Sequence, residues 1–187
     1  MVTTPSPESI AQAANRAGKG VPPVGKWHPE FSGDIDIRIA RDGTWLHQGA
    51  VIARPELVRL FSTILRREGE AYFLVTPAEK WRITVEDVPF VAVDVEARGA
   101  GHDQRLIFES NVGDRVAAGP KNPIRAGQDP RTGAPVPYVT VRDGLEARVD
   151  RKSFYRLIEL GHHEGGWFGL WSGGEFFPLA RSEEMEG

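Results

Sequence analysis

Two of the five histidines adjoin a carboxylate in His162-His163-Glu164, residue types that can bind a transition metal or move a proton. On a helix, neighbours diverge by about 100°, so the trio lacks the convergence of an i, i+4 pair. It stands where a helical pattern runs out before Gly165-Gly166, and it reads as a solvated helix end. His28, His47 and His102 are scattered, and His102-Asp103 sits in a glycine-rich turn without triad or metal spacing. In Leu170-Trp171-Ser172-Gly173-Gly174 the glycine that a nucleophile elbow needs two positions before its serine is missing, so a hairpin turn is expected there. Gly18-Lys19-Gly20 has neither the spacing nor the following Ser or Thr of a Walker loop. Gly99-Ala100-Gly101 begins like a dinucleotide fingerprint, but Gln104 replaces the third glycine and no helix follows. Acid pairs such as Asp34/Asp36 and Glu86/Asp87 read as exposed strand-edge groups. Cysteine is absent, which excludes disulfides, thiol nucleophiles and cysteine-ligated metals. The residues therefore predict no catalytic group, no metal ligand and no cofactor.

One local feature points to binding. Between Asn111 and Arg142 the bases Arg115, Lys121, Arg125, Arg131 and Arg142 face only Asp114 and Asp129, a net +3 inside a chain of net −3. The same stretch, up to Pro137, holds five prolines and four glycines and reads as a long irregular loop, either a ligand site or a solvated linker. The candidate ligand-binding residues are Asn111, Asp114, Arg115, Arg125, Tyr138 and Arg142. Arginine forks suit phosphate, an asparagine amide can read a base or ribose edge, and a tyrosine ring can stack. Two rival readings are a protein–protein adaptor docking through a sheet edge or this loop, and an unrecognised hydrolase using an acid such as Asp114.

These residues need elements to position them. After a tail over 1–26 with a short helix starting at Ser6-Pro7-Glu8, Ile35, Ile37 and Ile39 alternate with charged residues as in a half-buried strand. Asp42-Gly43 turns the chain into a return strand at Thr44-Trp45-Leu46. Leu57, Val58, Phe61, Ile64 and Leu65 then form one helical stripe from Pro55, with Arg66 and Arg67 at its negative end and Gly69 as its stop. Strands over Ala71–Thr76 and Lys80–Val85 follow. The order returns about 100 residues later: Tyr138–Val141, Asp143-Gly144, Leu145–Val149, a helix over Arg151–Leu160, and a closing hairpin of Trp167–Trp171 and Glu175–Leu179. Strand-like runs over Phe90–Val95 and Arg105–Phe108 lie between the copies. The aromatics of the closing hairpin (Trp167, Phe168, Trp171, Phe176 and Phe177) read as core, with base stacking as the alternative. The expected fold is α+β, mostly antiparallel, with hairpin–helix–hairpin occurring twice.

Several segments resemble the bacterial family known as domain of unknown function 1285. They are Asp87-Val88-Pro89-Phe90, Gln104-Arg105-Leu106-Ile107-Phe108, Asn111-Val112-Gly113-Asp114, Pro137-Tyr138-Val139, Arg142 to Arg148, Phe154-Tyr155, Trp171-Ser172-Gly173-Gly174 and Phe177-Pro178-Leu179. The resemblance runs from about residue 27 to the end. It implies a duplicated α+β core whose second half is loosely like a pleckstrin-homology fold. It also implies a ligand site between the halves, proposed for a nucleic-acid-type ligand and for a role in signal transduction.

Composition sets the outer limits. With 187 residues, 40% hydrophobic and 26% charged, the chain can build a core without staples. The expected division is a tail (1–26), an N-terminal α+β lobe (27–87) and a β-rich C-terminal lobe with one helix (88–187). The net −3 charge argues against extended DNA binding and makes any anion site local. Met1 to Gln12 shows no signal-peptide pattern and no stretch has membrane-spanning length, so a cytoplasmic, non-enzymatic protein is expected. Its ligand would be a small anionic or nucleotide-like molecule bound at the junction of the lobes.

Overall fold

The computed structural model describes residues 5–18 and 20–186, and the chain divides into two compact units between Asp87 and Val88. The first begins with α1 (Pro7–Arg16), where Ser6 and Ser9 cap each other reciprocally and Pro7 occupies the first turn. Residues 1–4 of the expected tail, and Lys19, lie outside the described residues. Strands β1 (Gly33–Ile39), β2 (Trp45–His47) and β3 (Ala50–Val51) precede α2 (Pro55–Thr63), and β4 (Leu65–Glu68), β5 (Ala71–Val75) and β6 (Lys80–Val85) follow it. A single sheet of order β3-β2-β1-β6-β5-β4 results, joined at its centre by the parallel β1–β6 pair. Ile35, Ile37 and Ile39 point into the core as their alternation predicts, and Trp45 stacks on Phe61.

The helix expected to reach Gly69 ends six residues earlier. The hydroxyls of Ser62 and Thr63 donate to the carbonyls of Arg59 and Leu60, and Ile64 leaves helical geometry. Leu65 to Glu68 then pair antiparallel with Leu74 to Ala71 of β5, turning at Gly69 with φ 62°. Ile64 and Leu65 are buried as the stripe requires, but Leu65 does it opposite Leu74 in a strand. Arg66 does not sit at a helix end. Its guanidinium donates to the carbonyls of Val24 and Trp27 and so ties the preceding segment to the sheet.

The second unit contains β7 (Phe90–Arg98), β8 (Arg105–Ser110), β9 (Arg115–Ala117), β10 (Ile124–Gln128), β11 (Pro135–Arg142), β12 (Leu145–Val149) and α3 (Arg151–Leu160). β13 (His162–Glu164), β14 (Trp167–Ser172) and β15 (Glu175–Arg181) complete it. Six strands form a sheet of order β10-β11-β12-β7-β8-β9, again with one parallel pair, β12–β7, and the last three form their own sheet. Hairpin, helix and hairpin thus recur in both units, and the α+β class with two similar halves holds. The repeated Arg-Asp-Gly triplets make different turns. Asp143 and Gly144 both have positive φ (46° and 76°), a two-residue primed turn, whereas around Asp42 only Gly43 does.

The stretch read as an irregular loop carries β9, β10 and the start of β11. Its prolines are compatible with strands because of where their missing N–H groups fall. Thr140 donates to the Pro123 carbonyl on the β10 side, so the odd-numbered Pro135 and Pro137 turn away from β10, and the β10–β11 ladder stays intact. His162-His163-Glu164 is likewise a strand, with Gly161 ending α3 one residue earlier. An added Cβ there would meet the Phe168 ring at 2.2 Å.

The three-stranded sheet is clipped to the larger one by polar groups. Ser172, fully buried, donates its hydroxyl to the Ala118 carbonyl (2.8 Å) and accepts the Leu106 N–H (2.9 Å). Beside it, Gln104 donates to the Trp171 carbonyl and accepts the Gly173 N–H. Gly173 combines φ 61° with a contact that a Cβ would bring to 2.9 Å from the Ala118 carbonyl oxygen.

Candidate functional site

All six residues singled out from sequence belong to the second unit, and all six hold partners within it. Arg125 on β10 makes a two-point ion pair with Glu146 (2.6 and 3.1 Å) and lies 4.0 Å over the ring of Tyr138, its cross-strand neighbour. Arg142, at the end of β11, donates to Asp114 (2.7 Å) and lies over Phe90. Arg115 on β9 pairs with Glu96 of β7 (2.9 Å). Asn111 exchanges hydrogen bonds with Val91, its Oδ1 accepting the N–H and its own N–H reaching the carbonyl. Tyr138 is buried. The structure therefore brings together Arg125 with Tyr138 and Asp114 with Arg142, as separate groups. The +3 counted along the sequence becomes +1 once the partner carboxylates Glu96 and Glu146, supplied by β7 and β12, are included.

A concave site lies nearby. The β10–β11 turn, the end of β12 and the first turns of α3 enclose an open pocket of about 350 Å³. Arg131 enters from the turn, Arg148 from β12, and Arg151 from the first position of α3, with Phe154 and Tyr155 beside them. None of the six sequence candidates lines it. Asp129 is its one lining carboxylate, and Oδ1 of that group accepts the backbone N–H of Arg131, which sets the turn. Arg151 and Tyr155 are four residues apart, which places a guanidinium and a ring on one helix face. Tyr155 is 57% exposed, unusual for a tyrosine on a packed helix. In register, Arg148 stands opposite Tyr138, which stands opposite Arg125, a row of cation, ring and cation across three strands.

Sequence reasoning missed Arg148, Arg151 and Tyr155. The signal was present in Arg148-Val149-Asp150-Arg151, where two arginines flank the residue whose carboxylate caps α3 by accepting the Ser153 N–H. Tyr155 also falls outside the Phe154, Leu157, Ile158 stripe.

A second constellation joins residues distant in sequence. His102 Nε2 lies 3.1 Å from Glu164 Oε1, Trp171 Nε1 donates to the same oxygen (3.3 Å), and the His102 ring stacks on Trp171 at 4.2 Å. The hydrogen bonds from His102 and then Trp171 hold the Glu164 carboxyl below the ordinary glutamate range, assisted by the charges of His102 and His162. The pair is open to solvent, 70% and 42% exposed, rather than enclosed in a water-excluding cleft. Among the described residues no group of three or more histidines and carboxylates is arranged to hold a metal ion, and no helix is long and apolar enough to cross a membrane.

Residues 22–88 match the model described as "Domain of unknown function (DUF1285), N-terminal domain", and residues 89–179 match "Protein of unknown function (DUF1285), C-terminal domain". Among solved structures, a DUF1285 family protein from Silicibacter pomeroyi DSS-3 is 59% identical, with a TM-score of 0.91 over 95% of this chain and 98% of that one. Another from Shewanella baltica OS155 is 25% identical, with a TM-score of 0.51 over 66% of this chain and 90% of that one. No curated protein matches the chain.

Proposed function

This chain belongs to the DUF1285 family, and from that premise and the geometry of its second unit we propose that it is a non-enzymatic sensor of a small phosphorylated, nucleotide-like ligand. One observation carries the reading: three arginines from three different elements line a single pocket beside two aromatic rings, in a chain whose net charge is −3. Guanidinium forks match phosphate oxygens, and the exposed Tyr155 ring offers a face to a heterocycle. A volume of about 350 Å³ suits a small molecule. The pocket offers binding groups without a proton-transfer pair. It has no histidine, and the oxygen of its one carboxylate is engaged in its own turn. In this reading Arg125 and Tyr138 stand behind Arg148 as its cross-strand support, and the ligand's occupancy of the pocket is what a signalling partner would detect.

The test is a thermal-shift panel on the full chain with a nucleoside monophosphate, the unphosphorylated nucleoside and pyrophosphate. At 100 times its dissociation constant a ligand stabilises by about 2.7 kcal/mol, which for a chain of this length is about 5 °C or more in Tm. The monophosphate is expected to give that shift and the nucleoside to give none. Arg131→Glu combined with Arg151→Glu should abolish it while the unliganded Tm stays within about 2 °C, as exposed charges allow. Persistence of the shift in the double variant, or no shift with any anion, would sink the proposal.

A further inference from the structure

The sheet of β13, β14 and β15 has two unlike faces. Phe168, Leu170, Ser172 and Phe177 are buried on one of them. Strand alternation, with the pairings Glu164↔Trp167, Trp167↔Arg181 and Trp171↔Phe176, puts Glu164, Trp167, Trp171, Phe176 and Arg181 on the other. Outward positions of a surface sheet are ordinarily polar, yet this face is aromatic. Trp167 is 37% exposed. The Phe176 ring lies across the backbone of Gly169, where a Cβ would meet it at 2.7 Å, and it packs on Trp171 at 5.5 Å.

The charge on this part of the molecule is one-sided. From Gly161 to Glu186 there are five carboxylates (Glu164, Glu175, Glu183, Glu184 and Glu186) against Arg181 alone, a net −4 in a chain whose total is −3. Glu175, Glu183, Glu184 and Glu186 are exposed, and the short 3-10 turn Ser182–Met185 packs back on β14 and β15. Glu164 Oε1 takes the hydrogen bonds of His102 and Trp171, while Oε2 receives none from the described residues. The sheet already carries one example of what such a face holds: the Arg181 guanidinium lies 4.4 Å over the Trp167 ring.

We infer that this face is an interaction surface for an arginine-bearing basic segment of another polypeptide. Its guanidinium groups stack on Trp167 and on the Trp171–Phe176 pair, and they are charge-paired by Glu164 within a segment of net −4. Aromatic faces next to ionised carboxylates favour a planar cation over a compact one, so arginine gains both terms where lysine gains chiefly the charge. Indole rings beside a carboxylate, here Glu164, also match the aromatic anchors of protein interfaces. The surface uses none of the residues of the arginine pocket, so the two proposals stand or fall separately.

The experiment is fluorescence anisotropy of labelled nona-arginine and nona-lysine peptides against the full chain at about 150 mM salt, where diffuse charge attraction is largely screened. Nona-arginine is expected to bind several-fold more tightly than nona-lysine. Trp167→Leu and Glu164→Gln should each weaken it about tenfold, the scale of one cation–π contact or one charge-assisted bond. Trp167→Phe, which keeps a ring, should restore most of the affinity, and Glu30→Gln, an exposed acid of the first unit, should change nothing. Tm values measured alongside should agree with wild type within about 2 °C. Equal binding of the two peptides, unchanged affinity in Trp167→Leu and Glu164→Gln, or no binding at all would each overturn the inference.

Discussion

Glu164 receives two hydrogen bonds on one oxygen, from His102 and Trp171, and both favour its ionised form. Its proton affinity is therefore lower in the folded chain than in the unfolded one. The sign follows from linkage: the contribution to stability is fully present above the ordinary glutamate pKa and is lost as pH falls through the lowered folded value. An NMR titration of the Glu164 carboxyl should show a midpoint below the ordinary value in wild type. His102→Ala should raise it, and by more than Trp171→Phe does. A midpoint that does not move in His102→Ala means the pair is not formed in solution. The same scale explains what was illegible in the arginines. Sequence counts Arg115, Arg125 and Arg142 as a basic run, but their partners Glu96 and Glu146 arrive from strands 19 and 21 residues away, and Asp114 from 28. A fork already gripping a carboxylate cannot be told from an available one by its neighbours along the chain.

Secondary-structure elements were legible wherever local periodicity and burial agree. Ile35, Ile37 and Ile39 alternate and are buried, and α3 begins at Arg151 behind an Asp150 cap. The misreadings occur where one apolar stripe serves two periods. Leu57, Phe61, Ile64 and Leu65 suit a helix face, yet Leu65 pairs with Leu74, and the β4–β5 hairpin takes the last of the stripe. Proline-rich strands are not legible in sequence because a missing N–H matters only if it faces a partner, which is decided by register. Ser172-Gly173-Gly174 makes the hairpin turn it reads as, between β14 and β15, and what the reading lacks is the hydroxyl's second task of joining two sheets through Ala118 and Leu106. Ser172→Ala should cost about 1–3 kcal/mol, because it leaves the buried Leu106 N–H and Ala118 carbonyl without their partner. Chemical denaturation measures it, and a loss below about 0.5 kcal/mol would mean that the hydroxyl is replaced there by water or by relaxation.

At the scale of the whole molecule, each unit has a core of its own. Ile37, Ile39, Trp45, Phe61, Ile64 and Leu74 are buried in the first, and Phe90, Val95, Leu106, Phe108, Val139 and Leu145 in the second. A fragment of residues 88–186 is expected to unfold in one cooperative thermal transition and to keep near-UV dichroism from its ordered tryptophans. A fragment lacking either feature would show that the division after Asp87 is geometric only. Sequence alone determined the α+β class, the repeated hairpin–helix–hairpin order, the cap of α1 and most strands of both units, because these follow from spacing, turn residues and caps acting over a few positions. Tertiary structure alone decided which charges meet. Sheet order and register brought Arg131, Arg148 and Arg151 to one pocket and set Glu164 against His102, across separations that no local pattern encodes. Electrostatic pairing acts over a few ångströms in space, and the chain positions that come that close are fixed only once strands have chosen their neighbours.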